Sequence, residues 1–287
     1  MIALLSYKLG ASLAGFLPEG IARPATSFLS WSQYHARAGS RANVMRNIRL
    51  VTGLGDASET RRLARGVFSN FGKSIHSFLR LPYGDPETLK SMCDYAGIDR
   101  LAAELRQRGG FVIAGPHVGP WEMGGACLSA LELKVHTVAL DHPSRGVTEF
   151  FDKRRRQAGI VCHPVGKSFP VLSEALERGE CVALLVDRAF GKPRRAYTMF
   201  GRDVSLPTGH AALAVRCRVP VVSAVCVFDA GGGLRFVHRG PHYPDLARGE
   251  EAAFEDLHRL CRLDMEEFIR EFPDQWFHFA EFGGKNG

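Results

Sequence analysis

The chain divides into two regions that differ in the spacing of their hydrophobic positions. Between residues 58 and 81, apolar side chains recur every three or four positions, from Leu63 to Phe78, which predicts a long amphipathic helix. We therefore expect residues 1–95 to form a helical N-terminal region. From residue 96 onward, short apolar runs alternate with helical segments. This alternation predicts an α/β fold with a mostly parallel central sheet flanked by helices.

The region 96–287 is the predicted α/β core. The predicted strands are residues 111–114, 135–140, 160–162, 181–186, 219–228 and 234–238, and the predicted helices are residues 101–108, 120–131, 146–158, 168–178, 208–217 and 250–271. A glycine-rich turn precedes the last strand, which predicts an antiparallel edge. No linker rich in Pro, Gly or Ser separates the two regions, so one structural domain is the simpler interpretation.

Charge and cysteine content narrow the class of protein. The 37 Lys and Arg residues exceed the 30 Asp and Glu residues, for a formal charge of +7. This excess indicates an acidic partner, which would be nucleic acid, an anionic membrane or an acidic carrier protein. No nucleic-acid-binding signature occurs. The seven cysteines show no CxxC spacing, which argues against a zinc ribbon or disulfide framework and favours a reducing compartment.

The N-terminus is moderately apolar, with Lys8 inside the stretch of residues 1–18. No run of about 18 apolar residues predicts a transmembrane span. The stretch also lacks a basic region ahead of its apolar part and a clean cleavage site, so we do not expect a signal peptide. An amphipathic helix is predicted instead. Two interpretations stay open, a helix packed on the body and a helix lying on a membrane face.

Residues 109–130, GGFVIAGPHVGPWEMGGACLSA, place an imidazole and a carboxylate at a junction between a strand and a helix. Open α/β sheets bind ligands where their strands end. If His117 lies in the turn, the carboxylate of Glu122 would reach its ring. The other ring nitrogen would then take a proton from a hydroxyl group. The alternatives are a structural hydrogen bond for His117 and, for Glu122, a place in the first helical turn after Pro120.

Several familiar catalytic signatures are missing from the chain. It contains no GxSxG elbow, Walker loop, HExxH motif or dinucleotide fingerprint. Direct activation of a substrate hydroxyl is therefore favoured over a serine acyl-enzyme. Acyl transfer from a thioester to an alcohol fits this chemistry, because it needs a base but neither a cofactor nor a metal.

HVGPWE, residues 117–122, matches the HxxxxE/D signature of the glycerolipid acyltransferase superfamily. Further blocks in family order are RANVMRNIRLVTG, RRLARGVFSNFGKSIHSFLRL, DKRRRQAGI, VALLVDRAFGK, MFGRDVSLPTGHAALAVRCRVPVVSAV and PDQWFHF. Over nearly its whole length the chain resembles the bacterial lipid A late acyltransferases and their phosphatidylinositol mannoside acyltransferase relatives. It departs from them at Pro120, where Asn is usual, and at Arg188, where Gln is usual.

The resemblance implies a role for His117 as general base, with Glu122 as its partner. It implies that Arg155 holds a phosphate or an oxyanion; from composition alone, Arg155 belongs to a solvated basic face. Asp187 is implied to face the same crevice as His117, or else serves as a turn or cap residue. Arg188 is implied to add a phosphate contact.

The resemblance also places three residues along the wall of the site. Phe200 and Gly201 would line it, and Thr208 would stand near a helix start where N–H groups bind an anion. For Phe200 alone, a core position is the alternative interpretation.

The implied reaction moves a fatty acyl chain from an acyl thioester, on acyl carrier protein or coenzyme A, to a hydroxyl of a lipid or glycolipid. The resemblance implies no cofactor, no metal and no nucleic acid. It implies a peripheral place on the cytoplasmic face of the bacterial inner membrane, with a cytoplasmic protein as the alternative. An acyl thioester hydrolase and a non-catalytic lipid-binding protein of the same fold stay open as other functions.

Overall fold

The computed structural model describes residues 18–81, 85–140, 142, 144–188 and 194–284. It confirms the predicted α/β class, with a mostly parallel central sheet flanked by helices and a helical N-terminal region. The helix predicted for residues 1–18 lies, except for its last residue, outside the described part of the chain.

In the described part of the chain, four helices precede the sheet: α1 (Glu19–Ala36), α2 (Ala38–Thr52), α3 (Ala57–Arg80) and α4 (Pro86–Ser91). The α3 helix is the long amphipathic helix that the hydrophobic spacing predicts. Asp56 caps its N-terminus by accepting a hydrogen bond from the Ser58 backbone at 2.7 Å. Within the described residues, no helix is both long enough and apolar enough to cross a bilayer.

The central sheet has seven strands, in the spatial order β1-β9-β8-β2-β5-β3-β4. They are β1 (Cys93–Asp94), β2 (Phe111–Gly115), β3 (Val135–Ala139), β4 (Ile160–Pro164), β5 (Cys181–Leu185), β8 (Val221–Phe228) and β9 (Leu234–His242). All neighbours run parallel except β8 and β9, which form an antiparallel hairpin. The carboxyl ends of β2 and β5 therefore meet at the same edge of the sheet.

Among the residues that the structure describes, six further helices accompany the strands: α5 (Ile98–Arg108), α6 (Trp121–Ala130), α7 (Arg145–Gln157), α8 (Phe169–Glu177), α9 (Gly209–Cys217) and α10 (Glu250–Glu271). Of the strands described, three were not predicted from the sequence. One is β1, and its parallel pairing with β9 makes the prediction of an edge position for β9 wrong. The others are β6 (Arg194–Met199) and β7 (Arg202–Pro207), which form a separate antiparallel hairpin.

Both faces of the sheet are buried, which explains why the central strands are apolar throughout. In β2, Phe111 and Ile113 contribute to one hydrophobic cluster, whereas Val112 and Ala114 contribute to the other. Successive side chains of a strand point to opposite faces, so a strand covered on both sides needs apolar residues at every position. This burial holds the carboxyl ends of β2 and β5 in a rigid frame.

Two histidines are buried together where α9 contacts α10. The rings of His210 and His258 lie 5.1 Å apart, and Tyr197 stacks on His258 at 4.0 Å. Burial, reinforced by the charge of the neighbouring His258, lowers the pKa of His210 to about 3. Burial also lowers the pKa of His258, to about 4. Both rings are therefore neutral in the folded protein at any pH near neutrality.

We expect the free energy of unfolding to fall as the pH drops from about 6.5 toward 4. In that window the unfolded chain binds protons at these two histidines and the folded chain does not, which costs up to about 1.4 kcal/mol per pH unit for each ring. Urea unfolding of the wild type, of His210→Gln and of the exposed control His35→Gln at several pH values measures this slope. The slope should be shallower only in His210→Gln; an unchanged slope there contradicts the prediction.

Candidate active site

The register of two neighbouring strands brings His117 and Asp187 together. Gly115 at the end of β2 pairs with Leu185 at the end of β5, and the Val186 N–H continues the ladder by donating to the Gly115 carbonyl at 2.9 Å. His117 and Asp187 each follow two residues after the end of their strand. Their side chains consequently meet at the carboxyl edge of the sheet.

The His117 ring and the Asp187 carboxylate form a close pair. Nδ1 of His117 lies 2.5 Å from Oδ1 of Asp187, whose side chain is fully buried. The other oxygen, Oδ2, accepts a hydrogen bond from Nε1 of Trp276 at 3.0 Å. Nε2 of His117 has no protein partner within the described part of the chain, and 15% of the side chain is exposed. Solvent or a substrate therefore reaches that nitrogen.

The charge state of Asp187 decides which nitrogen of His117 carries the proton. Burial alone raises the pKa of the carboxyl, but the attraction of His117, its hydrogen bond and the positive charge of Arg188 outweigh burial. The pKa of Asp187 therefore lies well below its usual range, and the group is an anion at neutral pH. An anionic carboxylate only accepts hydrogen bonds, so the Nδ1 atom of His117 carries a proton, and in the neutral ring the lone pair is then on Nε2.

The loop that carries His117 lies directly on β8, and two glycines allow this approach. A Cβ atom on Gly115 would come within 2.2 Å of the Ala224 carbonyl oxygen, and one on Gly119 within 2.0 Å of the Cys226 carbonyl oxygen. Gly119 also has φ of 66°, a conformation that favours glycine. Side chains larger than hydrogen at these positions would push the His117 loop away from the sheet.

The C-terminal segment, residues 273–284, runs along this loop and binds it through the backbone. The Phe277 N–H donates to the His117 carbonyl, and the Gly119 N–H donates to the Gln275 carbonyl, both at 2.9 Å. Val118 and Trp276 form an isolated antiparallel bridge. We call this segment the C-terminal strap, because it holds both ends of the His117 turn.

The N-terminal helices in turn hold the C-terminal strap. Asn47, which is buried on α2, donates to the carbonyls of His278 at 3.0 Å and Ala280 at 2.7 Å and accepts from the Phe282 N–H at 2.9 Å. Asn70 on α3 donates to the Asp274 carbonyl at 3.1 Å. The helical region therefore takes part in positioning the site.

The predicted contact between Glu122 and His117 is wrong. Glu122 lies in the first turn of α6, which begins one residue later than predicted because Pro120 is its N-cap. Its carboxylate accepts hydrogen bonds from Arg155 on α7, at 3.1 Å from Nε and 2.7 Å from Nη2. The helix turns Glu122 toward α7, whereas the loop turns His117 toward β5. The carboxylate that meets the imidazole is therefore that of Asp187.

Arg155 is largely buried and fully engaged. Its Nη1 also bonds to Asp152 at 3.2 Å, and only 13% of its side chain is exposed. Burial by itself lowers the pKa of the guanidinium, but the negative charge of Glu122 and its hydrogen bonds raise it above the usual value. The interpretation of Arg155 as a solvated basic residue is wrong. A phosphate contact from Arg155 stays a prediction.

The other predicted site residues surround the His117–Asp187 pair and differ in how deeply they are buried. Arg188 donates to the Phe277 carbonyl and so contacts the C-terminal strap. Phe200 and Gly201 form the turn of the β6–β7 hairpin, where the Phe200 ring packs 6.3 Å from that of Trp276 and Gly201 is exposed. Thr208 is buried immediately before α9, and Gly209 after it approaches Leu184 of β5. Their roles in binding stay predictions.

No group of three or more His, Cys, Asp or Glu side chains in the described part of the chain is arranged to hold a metal ion. All seven cysteines are free thiols. The polar groups at the site include the His117–Asp187 pair, the Trp276 indole, Arg188 and the buried His278 ring, whose charge also acts on Asp187.

A family model described as bacterial lipid A biosynthesis acyltransferase matches residues 5–281. The chain belongs to this family. A phosphatidylinositol mannoside acyltransferase of Mycolicibacterium smegmatis is 28% identical over 280 residues, covering 95% of this chain and 88% of the relative. A protein of the same name from Mycobacterium tuberculosis is 28% identical over 233 residues, covering 79% of this chain and 73% of the relative. The chain is thus an acyltransferase of lipid biosynthesis.

Sequence reasoning missed three residues that organise the site of this acyltransferase. They are Asn47 and Trp276, described above, and Gln275, whose side-chain amide makes two 2.9 Å hydrogen bonds to the Phe228 backbone. Asn47 and Trp276 lie in blocks that carry the family resemblance, but nothing local indicates what they contact. The aromatic C-terminal block with its single Trp, after a long helix, was the one available signal, since a buried indole N–H needs an acceptor.

We expect Glu122→Gln to lower the free energy of unfolding by roughly 3 kcal/mol, because it leaves the buried Arg155 charge poorly compensated. The double variant Glu122→Met/Arg155→Met should recover most of this loss, since it removes both charges. Urea unfolding measures both effects. The exposed pair of Arg145 and Glu149 provides the control, and Arg145→Met should change stability by under about 1 kcal/mol. A double variant as unstable as Glu122→Gln contradicts the prediction.

Proposed function

We propose that this acyltransferase moves a fatty acyl chain from an acyl thioester to a hydroxyl of a lipid or glycolipid, with His117 as general base. The observation that carries the proposal is the accessible Nε2 of His117, whose ring is oriented through Nδ1 by the buried Asp187. This is the arrangement that a base needs in order to take a proton from an alcohol. Family membership supplies the reaction class.

The proposed reaction proceeds in one transfer. Nε2 of His117 takes the proton of the acceptor hydroxyl while the hydroxyl oxygen attacks the thioester carbonyl. Asp187 stabilises the imidazolium that forms. The carbon–sulfur bond then breaks, the ester leaves with the acyl chain, and the thiolate regains the proton from the imidazolium. The positive charge of Arg188 and the start of α9 after Thr208 are the groups we propose to face the negative charges of the substrates.

The acceptor is proposed to be an anionic glycolipid, of the phosphatidylinositol mannoside or lipid A type. Two observations support this class, namely the names of the relatives and the excess of basic residues. The donor is proposed to be acyl carrier protein or coenzyme A loaded with a fatty acyl chain. Both donors are negatively charged, which the net charge of +7 attracts.

We expect His117→Ala and Asp187→Asn each to reduce kcat for acyl transfer by a factor of about 10² to 10⁴. The assay supplies acyl carrier protein or coenzyme A thioesters and extracted glycolipid, and mass spectrometry separates ester from free fatty acid. Ester in the wild type and its loss in both variants supports the proposal. Free fatty acid at the same rate with and without acceptor indicates a thioester hydrolase. A wild-type rate in His117→Ala overturns the assignment of the base.

We further propose that α1 rests on an anionic bilayer, as expected of a peripheral enzyme on the cytoplasmic face of the inner membrane. On one side of this helix, Ile21, Phe28, Leu29 and Trp31 are each more than half exposed. The rings of Phe28 and Trp31 lie 6.0 Å apart. An exposed apolar stripe that includes Trp is typical of helices in the membrane interface. We call these four residues the α1 apolar face.

The charge of the segment that contains the α1 apolar face suits an anionic surface. Between residues 18 and 52 the sequence contains five arginines and a single acidic residue. Basic residues beside an interfacial helix strengthen its attraction to anionic lipids. On the opposite side of α1, Tyr34 begins a series of aromatic ring contacts that ends at the His117 imidazole. The centroids of successive rings lie 5.0 to 5.9 Å apart, in the order Tyr34, Phe68, Phe279, Phe71, Phe277, Trp121, His117. The helix that we propose to contact the bilayer would therefore be packed, through these rings, against the part of the protein that carries His117.

We expect Phe28→Ser/Trp31→Ser to weaken binding to phosphatidylglycerol vesicles by at least about tenfold, because two apolar side chains no longer enter the interface. The control Tyr243→Ser/Leu263→Ser removes two side chains that are also exposed but lie elsewhere, and it should bind like the wild type. Flotation at low and high salt measures the binding. Equal flotation of both double variants contradicts the assignment of the α1 apolar face.

A further inference from the structure

The indole of Trp276 is buried against the His117–Asp187 pair. Only 3% of this residue is exposed, and its N–H donates to Oδ2 of Asp187. The two oxygens of the carboxylate are therefore used separately, Oδ1 by His117 and Oδ2 by Trp276. A carboxylate with a single partner can rotate about its Cβ–Cγ bond. The second, opposed hydrogen bond fixes the plane in which Oδ1 faces Nδ1.

Trp276 is itself held from several sides. Phe282 packs 5.3 Å from the indole, as measured between ring centroids, and Phe200 packs 6.3 Å away. Its neighbour Gln275 is anchored to β8 through the Phe228 backbone. The indole therefore has little freedom to follow a carboxylate that rotates. A rigid donor of this kind positions the group that it binds.

The same short stretch of the C-terminal strap also binds the backbone around His117. The Phe277 N–H donates to the His117 carbonyl at 2.9 Å, and Val118 bridges to Trp276. One segment thus fixes the backbone of His117 and the carboxylate of Asp187 relative to each other. These two groups follow different strands, and the strap contacts both.

We propose that Trp276 is a positioning residue that keeps His117 in the tautomer with its proton on Nδ1 and its lone pair on Nε2. This inference rests on the proposed role of His117 as the base. Without the indole N–H, Oδ2 of Asp187 is buried without its donor and the carboxylate turns toward other partners. His117 then loses its strong preference for the Nδ1–H tautomer, and part of the protein holds a proton on the nitrogen that should accept one.

The test combines a signal that needs no turnover with steady-state kinetics. Nitrogen-15 spectra of histidine-labelled protein, with His117 assigned by a His117→Asn variant, report the tautomer directly. We expect the wild type to show one protonated nitrogen, Nδ1, and Trp276→Phe to show an averaged mixture. In the same variant kcat should fall by about 10- to 100-fold, while KM stays within about twofold.

Two further variants distinguish the effect of the hydrogen bond on the His117 signal from the effect of packing. Phe282→Leu weakens one of several contacts to the indole but keeps the N–H, so its His117 signal should stay much closer to the wild type than that of Trp276→Phe. Benzothienylalanine at position 276 keeps the bicyclic shape and replaces the N–H by sulfur, so it should behave like Trp276→Phe. This substitution also serves as the test if Trp276→Phe does not fold.

Each outcome has a distinct meaning. A wild-type His117 signal in folded protein with benzothienylalanine or Phe at position 276 overturns the positioning role of Trp276. A shifted signal with an unchanged kcat retains the positioning role and overturns the proposal that His117 is the base. A shifted signal together with a lower kcat supports both.

Discussion

The structure depends on the contact between the buried Asp187 carboxylate and the His117 imidazole. An ion held away from water is costly unless its oxygens are paired. Here one oxygen meets Nδ1 of His117 and the other meets the indole N–H of Trp276. The sheet supplies the imidazole and the carboxylate from the ends of two adjacent strands, and the C-terminal strap supplies the indole. Asn47 and Asn70 on the N-terminal helices keep the strap in place.

Two carboxylates close to His117 in the fold or in the sequence make separate contacts. Asp187 orients the imidazole, whereas Glu122 neutralises a buried arginine on a neighbouring helix. The family signature places its histidine and its glutamate five positions apart, and in this chain the two side chains diverge. In this chain the signature therefore marks two neighbouring interactions, one that orients the His117 imidazole and one that joins α6 to α7. The exposed α1 apolar face adds a third element, the surface that we propose to rest on lipid.

Much of the fold was predictable because the information is local. A strand buried on both faces, such as β5, is apolar throughout, and an amphipathic helix such as α3 repeats its apolar residues every three or four positions. The missed elements lacked such a signal. β1 has only two residues, and β7 alternates only briefly, burying just Val204 and Leu206. The position of Asp187 at the end of a strand was also predictable. Its contact with His117 was not, because two strands separate β2 from β5 along the chain.

By itself, the sequence determined the α/β class, the place of His117 at the end of a strand and membership of an acyltransferase family. Periodicity and motifs carry that information over a few neighbouring residues. Only the tertiary structure decided which carboxylate meets the imidazole. Strand order put β5 beside β2, α6 directed Glu122 toward Arg155, and the C-terminal strap brought Trp276 back to Asp187. These contacts join residues that are 33 to 89 positions apart, and such pairs form only when the whole core packs.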